Sequence, residues 1–218
     1  EVELGLRLFF RPLPSQIAGL YAYDPAVGAC ILINANHHWK RRLETAARET
    51  GHFVSDRSHA DILEEHEVSL SIEERFARRF GPALLMPVPG VRARFDQLVG
   101  SQNRFDIRQL ILLAHQFGVA SEAMCRRLEE LALLPQGTWD SIRDRGFAGD
   151  LERSVIGEVA VHPKPPRIQP RLAYLASIAL ERELLSAGQL CDLLAVDRLE
   201  LGEALEPFET EEALSLHA

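Results

Sequence analysis

Glu49 and His52 stand in the run Ala47-Arg48-Glu49-Thr50-Gly51-His52-Phe53, and their types and spacing suit metal-assisted hydrolysis. On a helix, residues i and i+4 share a face, about 6 Å apart along the axis. Two His so placed can hold one Zn²⁺, and a Glu next to the first can polarise the metal-bound water. Here His52 fills the second ligand position and Glu49 the general-base position, but Arg48 stands where the first His belongs. A guanidinium stays protonated and has no lone pair to give a metal. A catalytic zinc takes three protein ligands and a water, so this one position argues against the chemistry that its neighbours suggest.

The elements that must position these residues follow from periodicity and punctuation. Arg41 to Asp56 reads as the central helix, with Leu43, Ala46, Ala47, Phe53 and Val54 on its apolar side and an end near residues 56–58. Ahead of it, Leu4–Phe10, Ile17–Tyr23 and Ala29–Asn34 read as strands, with Asp24-Pro25 and Gly28 marking a hairpin turn. His37 and His38 are adjacent in a loop, where neighbouring side chains rarely converge on one ion. Lys40, Arg41 and Arg42 read as a solvated helix start. Residues 61–70 are acidic and polar, with His59 and His66 in or beside them. Ser71-Ile72-Glu73-Glu74 has the capping-box pattern and opens a second helix, Ile72 to Leu85, closed by Met86-Pro87.

Asp106 to Leu133 reads as two helices around a turn at residues 117–121, with stripes Ile107, Leu110, Ile111, Ala114, Phe117 and then Ala123, Met124, Leu128, Leu131. Residues 162–170 hold four Pro in nine positions and read as a linker. Helices are expected beyond it at residues 171–185, 186–194 and 198–205, before an acidic tail. The expected division is residues 1–150, a linker over 151–170 and a helical C-terminal module over 171–218. The fold class is α+β: a small N-terminal sheet packed on helices, then a mostly helical module.

Composition narrows the function classes. The chain has 218 residues, 46% hydrophobic and 26% charged, with net charge -8 and pI near 5.5. That field opposes nucleic acid. The helix pairs at residues 106–133 and 186–205 have helix-turn-helix outlines but fit poorly on a phosphate backbone: Glu122, Glu129 and Glu130 offset Arg126 and Arg127, and Asp197, Glu200 and Glu203 face only Arg198. Three scattered Cys (Cys30, Cys125, Cys191) and no CxxC pair point to a reduced, cytoplasmic compartment without a disulfide framework. No apolar run approaches the ~18 residues of a membrane span, and no signal peptide is visible. The first residue is Glu rather than Met, which leads to the expectation of a piece cut from a longer protein.

Arg41-Arg42, Ala47 to Phe53, Glu74-Arg75-Phe76-Ala77-Arg78-Arg79-Phe80, Leu84-Leu85-Met86-Pro87 and Leu113 to Leu128 occur in the order of the ImmA/IrrE family of bacterial metallopeptidase-like proteins, which the chain resembles over about residues 1–150. The resemblance implies a zincin-like fold with zinc as cofactor, His52 as a zinc ligand, Glu49 as the catalytic base and Glu74, in Glu-x-x-Ala, as the third ligand. Arg48 replaces the remaining ligand. The family's members often regulate repressors of mobile elements or stress genes, so a protein partner of that kind is implied. Many carry an N-terminal helix-turn-helix domain that contacts DNA.

Three functions are compatible with these residues. The leading one is a pseudopeptidase acting as a regulatory domain, in which Arg48 takes the place of the metal and pairs with Glu74 or Glu49. A solvent-facing Arg48 paired with Glu44 is the plain alternative. The second is an active zinc endopeptidase that cleaves a repressor with His59 or His66 as substitute ligand. The third is the sensor domain of a DNA-binding regulator.

Overall fold

The computed structural model describes residues 4–55, 61–64, 71–100, 104–147, 149–157 and 164–208. Strands β1 (Arg7–Arg11), β2 (Ile17–Asp24), β3 (Gly28–Asn34) and β4 (Asp61–Glu64) form one sheet in the order β1-β3-β2-β4. β1 runs parallel to β3, and β2 runs antiparallel to both β3 and β4. The β2–β3 hairpin closes at Asp24, whose Oδ1 accepts from the Ala26 and Val27 N–H groups at 2.8 and 3.0 Å. The turn ends at Gly28, whose φ of 89° suits a residue without Cβ. β4 lies in a stretch that reads as merely acidic and polar in sequence. It was hidden because its four residues are too short for an alternating pattern to stand out.

Helix α1 (Trp39–Ser55) packs on this sheet and on α2 (Ile72–Leu85). Tyr21, Ile31, Ile33 and Phe53 form the buried layer between sheet and helix. α3 (Val88–Val99), α4 (Ile107–Gln116), α5 (Ser121–Glu130) and α6 (Thr138–Asp144) gather around a second core that includes Val91, Leu110, Leu113, Met124, Leu128 and Trp139. α4 and α5 match the two sequence stripes, and Gly118 at φ 68° makes the turn between them. α3 falls in a stretch that sequence reading passed over. Its signal was present as Val91, Phe95 and Leu98 at helical spacing, started by Pro87 as N-cap.

The linker expected over residues 151–170 needs correction at its start. Residues 149–156 form α7 (Gly149–Ile156), which packs on α4, and the Ser121 hydroxyl donates to Glu152 there. Residues 151–156 therefore belong with the preceding helices. α8 (Pro170–Glu181), α9 (Ala187–Leu194) and α10 (Arg198–Leu205) follow, with their own core of Ala173, Ala176, Leu190, Leu194, Leu201 and Leu205. α8 stops short of residue 185 because the chain leaves the helix at Arg182 and Glu183 adopts φ 55°. Arg11 ties this module to β1 by donating to the Arg167 carbonyl at 2.5 Å and the Leu194 carbonyl at 3.4 Å. Among the described residues, no helix is long and apolar enough to cross a membrane.

Candidate functional site in the cleft between α1 and α2

The buried face of α1 is unusual because it is polar. Its sequestered residues are Thr45, Ala47, Glu49, Gly51, His52 and Phe53. Leu43 and Val54, expected on the apolar side, are instead 37% and 52% exposed. A buried polar face carries more information than an exposed leucine, because each polar group must find a partner. The partner across the cleft is α2. The two helices approach closely because of glycine. A Cβ on Gly51 would lie 2.8 Å from Ala77 Cα, and one on Gly81 would lie 3.3 Å from the Arg48 backbone nitrogen. Gly51→Val is expected to lower stability by about 2–3 kcal/mol, because a backbone atom cannot rotate away from the added carbons. Urea denaturation measures this; an unchanged midpoint would show that the helices separate without strain.

That approach places Glu74 against α1. The Ser71 hydroxyl accepts from the Glu74 N–H at 3.1 Å, as expected of a helix start. The Glu74 carboxylate, however, does not complete the capping box. It turns inward, where Oε1 accepts from Arg48 Nη2 and, at 2.5 Å, from Arg78 Nε. Its Oε2 lies 3.1 Å from His52 Nε2. A carboxylate only accepts, so the imidazole proton sits on Nε2, on the nitrogen that a metal held by Glu74 would need. Glu74 is thus held by two guanidinium groups and one imidazole, with its own side chain only 10% exposed. Arg48 pairs with Glu74, as one sequence expectation had it. The alternative partner Glu44 instead accepts the Ala120 N–H at 3.2 Å, at the start of α5.

Glu49 is fully buried and lies on the wall of a cavity of about 360 Å³ between α1, α2 and β2. The polar wall is Arg41, Glu44, Thr45, Arg48, Glu49 and Arg78. The rest is apolar and includes Pro82, Leu85, Met86 and Ala123. Burial pushes the Glu44 carboxyl above its usual range, and the hydrogen bond from Ala120 opposes that rise.

The family model described as Peptidase_M78, IrrE N-terminal-like domain, matches residues 2–129, which is more than half of the chain. The chain belongs to this family. Comparison with curated proteins finds no match, and comparison with solved structures finds none. The matched range includes both α1 and α2, so the residues of their cleft can be weighed against the donors that a metal needs.

The donor set of the family's zinc fits poorly here. Among the described residues no three His, Cys, Asp or Glu side chains are grouped to hold a metal ion. His52 and Glu74 are adjacent, but each offers the other the atom a metal would take, and Arg48 adds a cation. The substitute ligands His59 and His66 lie outside the described residues. Nucleophilic sulfur is also disfavoured in the helical core: burial and nearby Glu129 push the Cys125 thiol up to about 12, so it stays protonated at neutral pH. In the sequence Arg127 and Glu129 count only as charges that offset one another on the second helix of the α4–α5 pair. Both are buried, Arg127 Nε donating to the Met86 carbonyl at 3.2 Å and Glu129 Oε1 accepting the Trp139 N–H at 2.8 Å. An arginine committed in this way is withdrawn from any phosphate backbone.

Proposed function

We propose that this chain is a catalytically impaired metallopeptidase-like domain, kept as the regulatory, partner-binding part of a bacterial regulator. The observation that carries this reading is the occupation of Glu74. A carboxylate that would be a metal ligand in the family is bound by Arg48 and Arg78 instead. Arg48 supplies a fixed positive charge and directional donors where a metal would supply charge and vacant coordination. Charge is thereby balanced, and the helices stay joined, without a centre that can activate water. Family membership and the acidic net charge of -8 support a protein partner, such as a repressor, over nucleic acid.

Elemental mass spectrometry of the protein purified without chelator tests the proposal. Zinc far below one atom per chain is expected. A near-stoichiometric content would overturn it and restore the alternative of an active peptidase with a ligand drawn from the stretch that contains His59 and His66.

A further inference from the structure

The cavity beside Arg48 has the composition of a ligand pocket rather than a packing defect. At about 360 Å³ it lies at the small end of ordinary ligand sites. A guanidinium has five N–H donors. Arg48 and Arg78 each commit one to Glu74 Oε1, and both line the cavity with donors to spare. Arg48 Nε is shielded from solvent and, among the described residues, has no hydrogen-bond partner. Their side chains are 31% and 49% exposed, so a small anion can reach them from solvent. The remaining lining, with Pro82, Leu85, Met86 and Ala123, offers carbon and no charge.

We propose that this cavity binds a small monocarboxylate with an apolar tail, its carboxylate on Arg48 and Arg78 and its tail against Pro82, Leu85 and Met86. The inference rests on the metal-free reading of the site, since a zinc ion would claim Glu74 and displace the arginines. Charge decides between anions. Arg41, Arg48 and Arg78 face Glu44 and Glu49 around one cavity, and Glu74, held by both Arg48 and Arg78, brings the formal charge of the cluster to zero. One carboxylate adds a single charge to this balanced cluster; a phosphate dianion would add two beside the same acidic side chains. An apolar tail gains the desolvation of the carbon wall, which an inorganic anion cannot.

The test uses the two methionines of the chain, Met86 and Met124. Met86 lines the cavity and Met124 is buried in the helical core, so methyl-¹³C labelling supplies one reporter and one internal control. Octanoate and 3-phenylpropionate are titrated beside their primary amides, inorganic phosphate and a tripeptide with an apolar C-terminal residue. The expected result is a saturable shift of the Met86 methyl with the free acids, at least about tenfold weaker with the amides, and no movement of Met124. Arg78→Gln, which leaves Arg48 on Glu74, is expected to weaken the acids about tenfold and leave the amides unchanged. Equal affinity for amides, competition by phosphate, response to the tripeptide alone, or no Met86 shift would each overturn the inference. Zinc is measured on the same sample. A zinc-loaded sample defeats the metal-free reading, whereas a zinc-free sample without a Met86 response defeats this inference alone.

Discussion

An Arg48→His variant is expected to bind about one zinc ion per chain and to gain thermal stability on zinc addition. The scaffold argues for it. Position 48 lies one helical turn before His52, on the face that already reaches Glu74. Histidine there would complete a set of two imidazoles and a carboxylate, the three protein ligands that zinc accepts with a water. Glu49 is still buried on the adjoining cavity wall. Zinc that binds only the folded chain adds about 2.7 kcal/mol at a hundredfold excess over its dissociation constant. Arg78 remains a competitor, because it holds Glu74 Oε1 at 2.5 Å. The double variant Arg48→His, Arg78→Gln should therefore bind zinc more tightly than the single one. Metal content and melting temperature with and without zinc provide the readout. Failure of both variants to take up zinc would mean that the helices no longer hold the ligand geometry.

The contrast between Arg48 and its neighbours was visible in sequence because zinc ligation has a strict chemical grammar. One guanidinium at a ligand position is a contradiction that needs no coordinates. The elements carrying Glu49, His52 and Glu74 were legible for a similar reason: strand punctuation, a capping serine and apolar stripes are local signals. What stayed hidden was non-local. Ser71 and Glu74 formed a correct helix start, but only the packing of α2 on α1 reveals that the Glu74 carboxylate abandons the cap for Arg48 and Arg78. Arg78 carried no distinguishing sequence mark, being one of several arginines on α2; its role depends on sharing an oxygen with Arg48. Arg127 and Glu129 count in the sequence only as charges that offset one another, and their burial is decided by α6 and the end of α2. Gly51 carries no mark of its own in the sequence, because its role depends on Ala77 lying opposite it.

Removal of Arg48 and Arg78 together is expected to destabilise the chain far more than the two single changes suggest. Arg78 is 49% exposed and lies one turn from Glu74 on the same helix. With Arg48 still present, Arg78→Ala should cost about 0.5 kcal/mol. Arg48→Ala removes the cross-helix bond but leaves Arg78 and His52 on the carboxylate, which points to about 1–2 kcal/mol. In the double variant a side chain only 10% exposed keeps its charge with neither guanidinium, and the loss rises to about 3–5 kcal/mol. The excess over the sum, on the order of 1 kcal/mol or more, is the signature of two cations backing each other on one oxygen. Urea denaturation of the four members of the cycle measures it. Glu74→Gln in the doubly substituted background separates charge from packing, because a neutral amide fills the same space without a stranded anion. That third change should recover much of the loss. Simple additivity, or no recovery with glutamine, would mean that Glu74 is solvated well enough to stand alone, and Arg48 would then be a surface residue that merely touches it.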